Sequence, residues 1–483
     1  MSLHSLQHFL QVALIFLVCV QNVDAGTTPL VDLGYAQYQG VVDTKPDITA
    51  FKGIRYAAPP TGSLRFQAPA PPSKVAEVQQ AFNDPPASED CLFLNVFSPA
   101  LNSTAPLPTI VWIHGGGYAL GSASQYNGAD LVQDSNNKVV AVVIQYRLGL
   151  FGFLAGQQVK DDGALNAGLL DQDFALRWVN KNIRKFGGDP DKVTIWGQSA
   201  APKLFRAAIT SSTFMPSQYR YNDTIPQTLF NDVAAQAGCN DTKTLDCLRA
   251  VDGATLENIN LNTMVSGFQG TFSFAPVVDG LFITQSPTDA LLRGKVNGDI
   301  LLSVFNTNEG PVSVNQSAEY NVTEYVRNLF PLFGVKGEQC GGEYLSTVWV
   351  SIESDAPLMS SLNAFPAKSY KGEYAIPPAG HGQDIINYFP SFTAFNATLI
   401  YNNTAFIDAF TDAFVSFAVN LDPNVKLRPS ITPAWPKWSR GADMEMVFNE
   451  TESGMPDIAP VRTSSALLDR CEFWKSMHHL TGQ

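Results

Sequence analysis

Three short, almost unbroken apolar runs set the architecture: Thr109-Ile110-Val111-Trp112-Ile113, Val193-Thr194-Ile195-Trp196, and Ile300 to Phe305 following Asp299. Runs of this length and composition, each ended by glycine or a polar cluster, read as buried strands. Between the first two lies a different period. Leu170, Phe174 and Trp178 recur every four residues in a segment that stops at Gly187-Gly188, which predicts an amphipathic helix leading directly into the Val193 strand. Strand, helix and strand alternate as a parallel sheet requires. After the Val193 strand another apolar run, Leu204 to Ile209, arrives so soon that no full helix can stand between them.

A separate apolar run, Phe9 to Val20, is too short to cross a bilayer, and Val23-Asp24-Ala25 before Gly26 offers a small-residue cleavage site. The expected division is therefore an export signal over residues 1–25 and one α/β domain over 26–483. With no second long apolar segment, the mature protein is expected to be soluble, extracellular and without integral membrane association. Eight Asn-x-Ser/Thr sequons, at Asn102, Asn222, Asn240, Asn315, Asn321, Asn396, Asn402 and Asn449, agree with a secretory route.

Composition adds to this picture. Of 483 residues, 45% are hydrophobic and only 16% charged, which suits one large core. The formal net charge of −13 argues against nucleic acid and anionic membrane surfaces as partners. No internal repeat or low-complexity tract interrupts the chain.

The candidate chemistry sits at the strand ends. Gly197-Gln198-Ser199 closes the Val193 strand as a nucleophile elbow would, lifting a serine on a tight strand-to-helix turn. The position two residues after the serine, ordinarily Gly, is Ala201, and Pro202 follows. Such a serine needs an imidazole to take its proton. His4 and His8 lie in the export segment, and His478 with His479 reads as a solvated pair near the carboxy terminus. His114 opens His114-Gly115-Gly116-Gly117, a loop better suited to offering free N–H groups to an oxyanion. His381, in a loop after a proline-rich stretch, remains as the base. Glu309, just past the strand ending at Phe305, lies where open α/β sheets place their active sites and is the candidate acid. The order nucleophile, acid, base agrees with an α/β-hydrolase.

Runs spread from Phe51 to Trp438 carry a family likeness: Phe51-Lys52-Gly53-Ile54-Arg55-Tyr56, Ser88-Glu89-Asp90-Cys91-Leu92, Tyr146-Arg147-Leu148-Gly149, Asn166-Ala167-Gly168-Leu169 and Phe186-Gly187-Gly188-Asp189-Pro190. Together they resemble the type-B carboxylesterase/lipase family, which includes fungal extracellular lipases, cholinesterases and non-catalytic adhesion proteins. The resemblance implies an α/β-hydrolase fold, a large mostly parallel sheet with helices on both faces. It implies Ser199, Glu309 and His381 as a triad and Gly116, Gly117 and Ala200 as oxyanion donors. It implies a small-molecule or lipid ester as substrate and no metal or organic cofactor. Glu89 and Arg147 resemble an ion pair bracing loops near the site. Tyr118 is left between lining the acyl pocket and packing under the glycine loop.

Two departures accompany the likeness. Five cysteines follow the export segment, an odd number for a secreted chain. By resemblance Cys239 pairs with Cys247; Cys91 lacks an upstream partner, and Cys340 with Cys471 is a guess. The segment from Ala81 to Ala87 is short where the family carries that partner cysteine and, in its lipases, a lid. Both departures look like missing segments, one before Ser88 and one after Ala200, as in a splice variant or a gene model with coding sequence removed. A chain truly lacking the elbow helix is expected to be poorly folded or weakly active. The competing expectation is a non-catalytic binding protein on the same fold; a peptidase using the same triad is a third.

Overall fold

The computed structural model describes residues 28–42, 47–99, 101, 105–197, 205–240, 242–268, 271–312, 314, 321–333, 354–392 and 398–483. The export segment, Ser199 to Ala201, Cys340 and the sequons at Asn102, Asn315 and Asn396 lie outside the described residues.

Fourteen strands are described: β1 (Leu30–Asp32), β2 (Gln37–Gln39), β3 (Val41–Val42), β4 (Thr49–Arg55), β5 (Val78–Gln80), β6 (Phe93–Ser98), β7 (Leu107–Ile113), β8 (Val140–Ile144), β9 (Gly188–Gly197), β10 (Ala207–Ser211), β11 (Ile300–Asn306), β12 (Ser369–Tyr374), β13 (Met444–Glu450) and β14 (Pro456–Arg462). Eleven form one sheet in the order β14-β13-β12-β11-β10-β9-β7-β8-β6-β4-β3, and β1-β2-β5 make a small second sheet. From β8 to β13 all neighbours are parallel, and the remaining pairings of the large sheet are antiparallel. The strands read from apolar runs are those at its centre. Both β8 and β11 are buried at every position, as strands covered on two faces must be.

Helices cover each face. On one side the core gathers Ile195, Ala208 and Leu301 of the strands with Ala175, Leu176 and Val179 of the Ala167–Asn182 helix. On the other, Trp112 and Trp196 pack 5.6 Å apart, and the Thr404–Asn420 helix lays Phe414 flat on Trp196 at 5.2 Å. Offset and edge-on ring pairs of this kind add to the area they bury.

The predicted helix is present, but its buried face differs from the four-residue pattern. Leu170 and Phe174 are only half-buried, while Asp171, Ala175, Trp178, Val179 and Asn182 face inward. Asp171 drives the rotation, because it is the buried counter-ion of Arg147.

Chain order reverses between β8 and β9, which flank β7, so the crevice at the carboxyl ends of β7 and β9 is the switch point where such sheets bind ligands. The loop from Ala81 to Ala87 closes without excursion. Asp84 accepts from Asn95 Nδ2 at 2.5 Å and pairs with Lys52 at 3.3 Å, tying the loop to β4 and β6.

Candidate active site

The loops leaving β7, β11 and β12 lie at the same carboxyl edge of the parallel block, and the latter two meet. After β7, His114 to Gly117 turn sharply, with φ of +119° at Gly116 and +62° at Gly117. A side chain is excluded at both positions: a Cβ on Gly116 would stand 2.1 Å from the Leu120 carbonyl oxygen, and one on Gly117 1.9 Å from the Phe272 ring. Among the described residues, neither glycine donates its N–H to a backbone carbonyl. The loop can therefore present two amides to an anion.

His114 is no base. It is fully buried, stacks on Tyr146 with ring centroids 4.6 Å apart, and Nδ1 lies 2.9 Å from the Gly115 carbonyl oxygen. Burial pushes its pKa down to about 4, so it is neutral in solution near pH 7. Tyr146 donates its hydroxyl to the His114 carbonyl at 2.8 Å, which pins the start of the glycine loop.

Glu309 and His381 meet directly. The carboxylate lies fully buried beyond β11, and its Oε2 bonds His381 Nδ1. Its Oε1 accepts the Asn306 backbone N–H at 2.7 Å. Burial would raise the Glu309 pKa, but the imidazole charge and the hydrogen bonds outweigh it and hold the group below the usual carboxylate range. Burial would lower the His381 pKa, yet the adjoining carboxylate raises it above 6.5. A carboxylate on Nδ1 fixes the tautomer that leaves Nε2 for proton transfer. The Glu309 and His381 loops are also stitched together, because Asn308 N–H donates to the Ala379 carbonyl at 2.8 Å.

Around this pair lies a polar network that the sequence reading missed. Asn306 Nδ2 donates to Asp384 Oδ1 at 3.0 Å and to Ser212 Oγ at 2.9 Å. Asp384 also accepts from Tyr388, whose hydroxyl lies 2.9 Å from Ser211 Oγ, and Ser211 accepts from Trp196 Nε1 at 3.2 Å. This links β9 to the loops that carry Glu309 and His381. The only local signal was a polar residue closing each apolar strand, and the partners of Asn306 lie 78 and 94 residues away.

Other expectations are redistributed. Glu89 and Arg147 do not pair with each other. Glu89 binds Arg65 at 2.5 and 2.7 Å, and Arg147 binds Asp171 with two contacts of 2.7 Å. Each is a bidentate guanidinium–carboxylate pair, which spacing alone could not assign. Tyr118 is buried, packs edge-on against Phe153 at 5.1 Å, and lines a cavity. The Cys239–Cys247 disulfide is present. Among the described residues Cys91 and Cys471 have no disulfide partner, and burial pushes Cys91 up to about 12. Among the described residues no cluster of three or more His, Cys, Asp or Glu is placed to hold a metal ion, and no helix is long and apolar enough to cross a membrane.

Known proteins resemble this chain in sequence and fold. Secreted lipase 1 of Botryotinia fuckeliana is 28% identical, over 82% of this chain and 85% of its own. Liver carboxylesterase 1 of Oryctolagus cuniculus is 31% identical over 60% of this chain and 61% of its own. The crystal structure of Aspergillus niger EstA superposes with a TM-score of 0.85 at 29% identity, covering 94% of this chain and 99% of that one. A structure titled PNB esterase gives 0.78 at 25% identity, covering 92% and 100%. The carboxylesterase family model matches residues 27–330, and the chain belongs to that family.

Proposed function

We propose that this protein is a secreted carboxylic-ester hydrolase working through an acyl-enzyme. Ser199 attacks the ester carbonyl while His381 takes its proton, Glu309 stabilises the imidazolium, and the amides of Gly116, Gly117 and Ala200 hold the oxyanion. His381 then returns its proton to the leaving alcohol and activates water to release the acid. The observation that carries the reading is the Glu309–His381 pair, a buried carboxylate on a part-exposed imidazole, together with a glycine loop whose positive-φ positions leave no room for a Cβ. Extracellular placement is supported by the secreted lipases among its relatives and by exposed sequon asparagines at 222, 240, 321 and 402.

A second reading, a catalytically impaired variant or non-catalytic binding protein on the same fold, draws on the connection after the elbow. Only nine residues, 198–206, join β9 to its parallel neighbour β10, where such crossovers take about a dozen or more. Its alignment with carboxylesterase patB of Penicillium expansum runs 579 positions over 96% of this 483-residue chain. About 464 of those positions are filled, so about 115 stand opposite no residue here. That excess supports segments missing from an otherwise single domain over residues 26–483.

The full chain from Gly26 and its Ser199→Ala variant, assayed on p-nitrophenyl esters from acetate to palmitate, test the proposal. Hydrolysis lost in the variant supports the serine mechanism; none from folded protein supports the impaired reading.

A further inference from the structure

Two buried amide atoms on the wall of one cavity have no hydrogen-bond partner among the described residues: Gln218 Oε1, an acceptor, and Gln285 Nε2, a donor. Gln218 is only 8% exposed, and the Gly482 carbonyl fixes its backbone N–H at 2.6 Å. Gln285 Oε1 accepts from Lys295 Nζ at 3.3 Å and from Arg293 Nη1 at 3.4 Å, which leaves its NH2 end for the cavity. The two segments touch, because Thr288 Oγ1 lies 3.8 Å from Met215 Sδ as a donor, and Met215 also lines the cavity. Buried polar atoms are nearly always paired, so an acceptor and a donor left open on one cavity mark a place for a ligand.

The body of the cavity is apolar. Ile195, Ala208 and Leu301 stand in one row across β9, β10 and β11 and form its floor, between the Ala167–Asn182 and Ala356–Ala364 helices. Phe205, Phe214, Phe282 and Phe365 stand around that floor. The nine residues between β9 and β10 are too few to lay a helix of ordinary length along it and return. The volume of about 840 Å³ is within the range of small-molecule sites. The charged groups of the lining are already engaged: Asp173 pairs with Arg177, and Lys295 bonds Gln285. Neither the glycine loop His114 to Gly117 nor Glu309 or His381 lines the cavity.

We propose that this cavity is a second site, apart from the catalytic loops, that binds a neutral apolar alcohol. The hydroxyl accepts from Gln285 Nε2 and donates to Gln218 Oε1, and the hydrocarbon body covers the Ile195, Ala208 and Leu301 row. A hydroxyl does both from one oxygen, whereas an ether only accepts and a carboxylate cannot donate. The site does not depend on the ester-hydrolase reading, and its failure would leave that reading as it stands.

Equilibrium dialysis of the full chain against dodecan-1-ol, its methyl ether and dodecanoate, each below its solubility or micelle limit, is the test. The parent binds the alcohol about tenfold more tightly than the ether, the scale of one buried hydrogen bond, and binds the carboxylate more weakly than the alcohol. Gln218→Leu removes the advantage of the alcohol over the ether, and Gln285→Leu weakens both. Ala208→Trp, which fills the cavity from its floor, abolishes binding of both, so the proposal does not hang on one variant folding. Equal affinity for alcohol and ether, no binding to folded parent, an alcohol preference kept by folded Gln218→Leu, or parent-like binding to folded Ala208→Trp overturns the proposal.

Discussion

Two acidic residues on one helix allow a direct contrast between buried and exposed ion pairs. Asp171 is fully buried and accepts three N–H groups from Arg147: the backbone amide at 3.1 Å, Nε at 2.7 Å and Nη2 at 2.7 Å. Arg147 is itself only 2% exposed, so no water can replace the lost carboxylate. Removing one member of such a pair strands a desolvated charge and costs about 3–5 kcal/mol. Asp173, two residues on, pairs with Arg177, whose side chain is 65% exposed. A pair of that kind contributes about 0–1 kcal/mol. Urea unfolding of Asp171→Ala and Asp173→Ala, followed by tryptophan fluorescence, is the assay. A denaturant slope of about 3 kcal/mol/M places the Asp171→Ala midpoint about 1–1.7 M below the parent and leaves Asp173→Ala within about 0.3 M. Replacing both partners, Arg147→Met with Asp171→Leu, should restore most of the loss, because no buried charge then remains. Equal midpoints for the two single variants would refute the reasoning.

Further outcomes follow from the site and core. Removal of Ser199's proton needs neutral His381, so fluorophosphonate labelling should rise with pH through a pKa above 6.5; Glu309→Gln should move that limb to lower pH and slow the plateau roughly 10²–10⁴-fold. Gly116→Ala, which drives a Cβ into the Leu120 carbonyl, should cost roughly 10²–10³ in labelling rate with little change in the unfolding midpoint of the core. Burial raises Asp355 from 3.8 to about 7. A raised carboxyl favours the folded state below its unfolded pKa and loses that advantage as pH climbs to the folded one. Unfolding titrations should therefore show Asp355→Asn close to the parent at pH 4 and more stable at pH 8, by up to roughly 4 kcal/mol.

The features legible in sequence are those set by neighbouring residues. A continuous apolar run ended by Gly116-Gly117 or by Asn306 to Glu309 defines both a central strand and the loop beyond it, so the glycine loop and Glu309 could be placed by number, whereas His381 was reached by elimination among the histidines. Long-range pairing was not legible. Arg147 stands 24 residues from Asp171 and 58 from Glu89, and nothing local distinguishes the two carboxylates. The same holds for Asn306, whose side chain reaches Asp384 across a 78-residue separation. The helix face was misread for the same reason: a buried Asp171 is apolar in neither chemistry nor pattern, and its inward position depends on a partner from another element.

The central claim is that Ser199 is an activated nucleophile served by His381 and Glu309. Its most direct test is to expose the folded full chain to a fluorophosphonate probe and map the adduct by peptide mass spectrometry, beside Ser199→Ala and His381→Ala. The account predicts one adduct on Ser199, absent from the first variant and slowed by orders of magnitude in the second. Folded protein that takes no label, or takes it elsewhere, would contradict it.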